Sequence, residues 1–349
     1  MNENRLLERF LSYVQDDTTA RGDTSDYPSS PGQIVLGKLL ADELQALGLA
    51  DVLQDAWGVV TGTLPANVDR KVPVVAFCSH LDTSPETSGT NVQPQILRDY
   101  AGGDIVLPAD PTKVIRVADN PELNDLIGKT LITSDGTTLL GGDDKAGIAV
   151  IMEMLAWLVE HPEIKHGTLR VCFTCDEETG HGVDHIDLGQ LGADVCYTLD
   201  GQGSSTIDVE TFSADQAIVT IHGVNIHPAI AKNRMTNAVR VAADFIASLP
   251  RRTLSPETTD GRQGFLHPYE IEGGVGGVVL KILLRDFDES GLVHRAEVLR
   301  HAADLCAANY PEAKIDVEIK RQYRNLAEGL AKEPRAVGNA RKALERLGR

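Results

Sequence analysis

Val72-Pro73-Val74-Val75-Ala76-Phe77-Cys78 is a continuous apolar run of strand length, and Ser79-His80-Leu81-Asp82 follows it directly. Successive apolar residues, rather than alternating ones, are typical of a strand that is covered on both faces of its sheet. Similar short runs occupy residues 168–174 and 195–199, and an apolar-rich segment of helix length, 145–160, precedes them. Strands that alternate with helices predict an α/β fold with a mostly parallel central sheet.

The pattern changes after about residue 208, where the sequence predicts a smaller second domain. Strands are expected at 217–222, 265–272, 278–285 and 315–323, and helices at 236–249 and 291–309. This βαββαβ order is that of a ferredoxin-like α+β domain with an antiparallel sheet. A chain of 349 residues is also longer than a single core usually supports. We therefore expect a first domain at 1–208, to which 326–349 returns, and an inserted domain at 209–325.

Charge and composition exclude several classes of partner. The formal net charge is -18, from 33 basic and 51 acidic residues, which disfavours nucleic acid or an anionic membrane as the partner. The N-terminal residues have apolar positions at helical spacing instead of the apolar core of a signal peptide, and no apolar stretch is long enough to span a bilayer. The five cysteines predict no disulfide framework. We expect a cytoplasmic protein.

Acidic residues or a histidine follow each predicted strand of the first domain or begin its long helix. The segments are Ser79-His80-Leu81-Asp82-Thr83, Gly141-Gly142-Asp143-Asp144-Lys145, Asp176-Glu177-Glu178 and Asp200-Gly201. One such cluster is usually a solvated turn, and a helix N-cap is the ordinary role for Asp143. Four clusters at the carboxyl ends of parallel strands would meet at one edge of the sheet, where carboxylates repel one another unless a cation lies between them. The sequence therefore predicts a metal site, and one imidazole with several carboxylates suits zinc, cobalt or manganese.

Glu177 and Glu178 are adjacent, so their side chains point in different directions and can take different roles. One carboxylate can bind a metal ion while the other faces the attacking water. A metal ion lowers the pKa of its bound water to about 7, and a free carboxylate can act as general base and return the proton to the leaving amine. In the H-x-D segment, Asp82 can accept the second imidazole N–H of His80 and fix its tautomer. These features predict metal-assisted hydrolysis.

The four segments resemble, in order and spacing, the motifs of the di-zinc M20-type metallopeptidases, the family related to carboxypeptidase G and aminoacylase. Within it the chain is most similar to the tripeptide aminopeptidases of the peptidase T branch, through stretches such as Asn225-Ile226-His227-Pro228 and Leu284-Arg285-Asp286-Phe287-Asp288. The resemblance implies a metal-dependent aminopeptidase that releases the N-terminal residue of tripeptides. It also implies two zinc ions per subunit, with cobalt or manganese as alternatives.

The resemblance assigns roles to individual residues of the first, catalytic domain. It implies that His80 and Asp200 bind one metal ion, that Asp143 bridges the two ions and that Glu178 binds the second. Glu177 would be the general base, and Asp82 would orient His80.

The resemblance implies that the smaller domain is a lid or dimerisation domain, through which the chain would form a homodimer. It also implies that the substrate is a short peptide. In this domain His227, Asn237 and Arg285 would contact the scissile carbonyl or the terminal carboxylate of the peptide. A guanidinium can hold a carboxylate through two parallel hydrogen bonds, which suits Arg285. On the residues alone, an ion pair of Arg285 with Asp286 or Asp288 is an equal alternative, and an ordinary turn explains His227.

Chains of the peptidase T branch carry a further glycine-rich segment and a late histidine that completes the second metal site. No histidine follows His301 in this sequence. We therefore expect a second metal site of lowered affinity, held by Asp143 and Glu178, and a chain whose activity is in question. The alternatives are a dipeptidase, carboxypeptidase or N-acyl-amino-acid hydrolase of the same family, and a non-catalytic truncated remnant.

Overall fold

The computed structural model describes residues 1–201, 203 and 205–349, which divide into two compact units, Met1–Gly203 and Ser204–Arg349. The division lies close to the predicted domain boundary at 208. Residues 326–349 are grouped with the second unit, and their return to the first domain stays a prediction. No helix in the described ranges is both long and apolar enough to cross a membrane.

The first unit contains a five-stranded sheet and the helices that pack on it. Its helices are α1 (Glu3–Tyr13), α2 (Pro31–Ala46), α3 (Gly142–Glu160) and α4 (Leu188–Leu191), with a 3-10 turn at Pro121–Leu126. Its strands are β1 (Ala50–Gln54), β2 (Val60–Leu64), β3 (Val75–His80), β4 (Gln95–Leu97), β5 (Ile105–Val106), β6 (Val114–Ile115), β7 (Leu131–Thr133), β8 (Leu169–Thr174) and β9 (Val195–Thr198). The sheet has the order β1-β2-β8-β3-β9, while β4 with β7 and β5 with β6 form separate antiparallel pairs.

The central sheet is mixed. β3 pairs in parallel with β8 and with β9, whereas β1 with β2 and β2 with β8 are antiparallel. The parallel half consists of the three strands that the sequence predicted, so their carboxyl ends share one edge of the sheet.

Helix α3 crosses the first unit and buries an apolar face that includes Ile148, Ile151, Met152 and Leu155, none of them exposed to solvent. Burying a side chain of this size contributes about 1.5–3 kcal/mol. The helix begins against the strand ends because Gly147 has no side chain. A Cβ there would lie 2.3 Å from the Leu199 carbonyl oxygen and 2.4 Å from Ser79 Oγ.

The second unit is a four-stranded antiparallel sheet with helices. Its strands are β10 (Ser213–His222), β11 (Phe265–Gly274), β12 (Gly277–Asp286) and β13 (Lys314–Arg321). Its helices are α5 (Ala238–Ser248), α6 (Glu289–Asn309), α7 (Ala327–Leu330) and α8 (Arg335–Arg346), with a 3-10 turn at Pro228–Ile230. The sheet order is β11-β12-β10-β13, which confirms the predicted ferredoxin-like topology. Its core includes Val219, Leu280, Phe245 and Leu299, all without solvent exposure.

Candidate metal centre

His80 is the last residue of β3, and only 2% of its side chain is exposed. Its Nδ1 lies 3.0 Å from the Asp82 carbonyl oxygen and 3.3 Å from Asp82 Oδ1. Its Nε2 lies 2.9 Å from Asp143 Oδ1 and 3.8 Å from Asp200 Oδ1. Burial lowers the pKa of His80, but its hydrogen bond with Asp82 and the neighbouring negative charges outweigh that effect and raise the pKa to about 10. One nitrogen is therefore held by Asp82, and the other faces carboxylates.

Asp143 and Asp144 are adjacent but point to different places. They lie in the first residues of α3, are joined by a cis peptide bond and have non-helical dihedral angles. Asp144 is buried and accepts hydrogen bonds from the backbone N–H groups of His80 and Gly147, each at 3.3 Å. Burial raises the pKa of Asp144 to about 7. Asp143 instead projects its carboxylate to His80, and the N-cap position of the helix is Gly141.

Asp82 holds the backbone of the glutamate pair. Its carboxylate is fully buried and accepts the backbone N–H groups of Glu177 and Glu178, each at 3.0 Å. The predicted orientation of His80 by Asp82 is compatible with this geometry, since the same carboxylate also faces Nδ1. Sequence reasoning missed the two amide contacts, because they join positions 95 and 96 residues apart.

The predicted ligands converge on His80. Ligand atoms of His80, Glu177 and Asp200 lie within 4.8 Å of one another, and so do those of His80, Asp143 and Glu178. Burial, then the charge of Asp143, raises the pKa of Glu178. Burial also raises the pKa of Asp200 to about 6, with further contributions from Asp143 and Glu177. A divalent cation would relieve this crowding of negative charge, and the set of one imidazole and four carboxylates fits such an ion.

Glu177 lies within the ligand cluster itself. Its carboxylate belongs to the set with His80 and Asp200, whereas Asp143 and Glu178 form the other set. At this range a carboxylate can bind an ion or accept a proton from a water held beside it. The separate roles given to Glu177 and Glu178 stay predictions.

The three residues predicted to contact substrate all lie in the second unit. His227 Nδ1 accepts the Ala229 backbone N–H at 3.2 Å, and Asn237 caps α5 by accepting the Val239 N–H at 3.0 Å. Arg285 donates to the Leu284 carbonyl oxygen at 3.1 Å and to Gln322 Oε1 at 3.2 Å. The alternative ion pair of Arg285 with Asp286 does not form, because the Asp286 carboxylate pairs with Arg295 at 2.6 Å. The substrate roles of all three stay predictions.

Two further residues next to the site were missed in the sequence. Ser29 and Gln33, at the start of α2, bind the side chain of Asp176, the residue before Glu177. Their only sequence signal, a Ser-Ser-Pro at a helix start, is common to many helices.

Comparison with known proteins finds relatives along nearly the whole chain. Over 344 residues it is 45% identical to peptidase T of Desulfitobacterium hafniense (strain Y51), which covers 98% of this chain and 83% of that protein. Residues 209–314 match the peptidase dimerisation domain of the M20 type.

Solved structures agree with these relatives. Aminopeptidase PepT from Bacillus cereus is similar over 93% of this chain and 77% of its own, with a TM-score of 0.69 and 25% identity. A dinuclear metal-binding peptidase of the M20 family from Bacillus subtilis is similar in fold over 92% of this chain and 74% of its own, with a TM-score of 0.54 and 14% identity.

Proposed function

Because the chain belongs to the peptidase T family, we propose that the cluster around His80 is the dinuclear zinc centre of a tripeptide aminopeptidase. The family membership makes the chain a metal-dependent peptidase that releases the N-terminal residue of tripeptides. It favours this activity over the dipeptidase, carboxypeptidase and N-acyl-amino-acid hydrolase alternatives. The observation that carries the site proposal is the convergence of two ligand sets that share His80.

His80 and Asp200 would hold one zinc ion, Asp143 would lie between the two ions, and Glu178 would hold the second. When bound, the ions supply a water of lowered pKa and a Lewis acid for the scissile carbonyl. Zinc, rather than magnesium or calcium, is proposed because an imidazole takes part and because His80 is held by a carboxylate on its other nitrogen.

Glu177 would take the proton of the attacking water and return it to the leaving amine. Its carboxylate is exposed and lies within reach of the cluster, while its backbone is fixed by Asp82. A fixed backbone with a free carboxylate suits proton transfer, because the group needs to approach two different atoms during the reaction.

The second unit would pair with its counterpart in another copy of the chain. The match of residues 209–314 to a peptidase dimerisation domain supports a homodimer through this unit. His227, Asn237 and Arg285 would contact the substrate, and the Arg285 guanidinium suits its terminal carboxylate.

The test is hydrolysis of a free tripeptide and of its N-acetylated form by zinc-loaded protein. We expect cleavage of the free peptide alone, since an aminopeptidase needs the unblocked amine. The Glu177→Gln variant should lose about 10²- to 10⁴-fold in kcat while binding the same amount of zinc. Exposed Glu122, outside the cluster, provides a matched control in Glu122→Gln. Full activity of Glu177→Gln would refute the assignment of the general base.

A further inference from the structure

Asp176 is a buried acid whose partners lie in another part of the chain. It is 2% exposed and directly precedes Glu177. Its carboxylate accepts the Ser29 backbone N–H at 2.6 Å, the Ser29 hydroxyl, and Gln33 Nε2 at 2.7 Å. Its own backbone N–H donates to Gln33 Oε1 at 3.0 Å. Gln33, itself without solvent exposure, thus binds both the side chain and the backbone of Asp176.

The backbone of Asp176 has a conformation that needs such support. Its φ is 58°, in the left-handed region that side chains other than glycine seldom adopt, although aspartate tolerates it better than most. This residue turns the chain just after β8, and the amides of Glu177 and Glu178 then face Asp82. The glutamate pair therefore lies between two buried sets of hydrogen bonds, one from Asp82 and one from the start of α2.

We propose that Ser29 and Gln33 are positioning residues of the metal centre, which act through Asp176 to aim Glu177 and Glu178 at the cluster. The inference rests on the proposed function for the roles of the two glutamates, although the placement of the hydrogen bonds does not depend on it. Groups that orient ligands in this way typically change metal affinity or activity by about 10- to 100-fold when they are removed.

The experiment uses two variants. Gln33→Met keeps the length of the side chain and removes both of its hydrogen bonds with Asp176, and Ser29→Ala removes only the hydroxyl that Asp176 accepts. The matched control is Ser134→Ala, since Ser134 is about as buried as Ser29 and its hydroxyl accepts the Gly136 backbone N–H at 3.2 Å, outside the hydrogen bonds of Asp176. Zinc is titrated into metal-free protein, and kcat and KM are measured on a free tripeptide. We expect zinc affinity and kcat to fall by about 10- to 100-fold in both test variants, with KM changed less than about twofold. Ser134→Ala should match the unmodified chain in zinc affinity and kcat.

A mutant cycle separates positioning from a general loss of stability. If Gln33 acts through the glutamates, Gln33→Met should lower kcat little further in a Glu177→Gln background and zinc affinity little further in a Glu178→Gln background. Fully additive losses, or a lowered melting temperature with unchanged zinc affinity, would overturn the proposal. If Glu177→Gln proves fully active, the proposed base is wrong, and the zinc titrations of Gln33→Met and Ser29→Ala still decide the positioning role. Should Gln33→Met fail to fold, Ser29→Ala carries the test.

Discussion

Replacing Asp82 by asparagine removes the charge from the group that connects His80 to the glutamate pair. The carboxylate accepts two backbone N–H groups at 3.0 Å and faces His80 Nδ1 at 3.3 Å. Asparagine offers a single acceptor oxygen, so one amide of the pair would face an NH₂ group instead. Asp82→Asn therefore tests whether the glutamates and the histidine depend on one buried carboxylate.

The size of the effect follows from these contacts. A hydrogen bond to a charged group contributes about 1.5–3 kcal/mol, and one such bond is lost at a site with no solvent exposure. The metal-free variant should lose about this much free energy of unfolding. In the presence of zinc, a fall of about 10- to 100-fold in zinc affinity should lower the free energy of unfolding by a further 1.4–2.7 kcal/mol, roughly, for each bound ion.

The assay is urea unfolding of the variant with and without zinc. Asp55→Asn is a control for the loss of charge alone, because a single oxygen, Asp55 Oδ1, accepts the backbone N–H groups of Trp57 and Val59 at 2.9 and 3.0 Å, outside the ligand cluster. Any change in the free energy of unfolding of this control should be the same with and without zinc. If Asp82→Asn loses no more stability in zinc than it does without zinc, the proposed coupling between Asp82 and the metal centre is wrong.

Three further predictions concern the same structure. Gly147→Ala places a Cβ 2.3 Å from the Leu199 carbonyl oxygen, so the free energy of unfolding should fall by about 1–3 kcal/mol and zinc should bind more weakly. Gly22→Ala is the control, because the space around its Cβ is open, and it should change neither quantity. Below the His80 pKa of about 10, zinc must displace the proton of His80, so the logarithm of the zinc affinity should rise by about one for each pH unit between pH 7 and 9. Below about pH 6, where Asp200 is also protonated, zinc must displace a second proton and the dependence on pH should be steeper. Calorimetry in two buffers counts these protons, and a pH-independent affinity would contradict the ligand set. Phe245→Ala should destabilise the second unit by about 3–5 kcal/mol and leave the zinc affinity of the first unit unchanged, as urea unfolding and zinc titration would show.

The parallel half of the central sheet could be predicted from the sequence because its strands are short apolar-rich runs. Burial on both faces holds best for β8 and in large part for β3, whereas β9 lies at the edge of the sheet and its side chains are alternately half-buried and exposed. Apolar-rich runs at β3, β8 and β9 are visible in the single sequence, and the polar residues after each run mark the shared edge. For this reason the sequence could predict that His80 and its carboxylate partners lie close together, as they do in the structure.

Strand β1 of the antiparallel half, and the separate pair β5 and β6, gave no such signal. In β1 the side chains are half-buried or exposed, and β5 and β6 are two residues long, too short for any periodicity to appear. β1 pairs with β2 and β5 pairs with β6, so each of them is formed by pairing with a neighbouring strand rather than by an apolar pattern of its own.

Ser29 and Gln33 could not be assigned from the sequence for a similar reason. Their partner Asp176 lies 147 and 143 residues away, and a serine or glutamine at a helix start has many ordinary uses. Only the folded chain brings them to the turn that carries the glutamates.

Diffraction from zinc-soaked crystals, recorded on both sides of the zinc absorption edge, tests the central claim most directly. We expect two anomalous peaks about 3.5–4 Å apart next to His80 Nε2, with Asp143 between them, Asp200 at one and Glu178 at the other. Zinc peaks remote from His80, or no peak within ligand distance of these four side chains, would contradict the assignment of the metal centre.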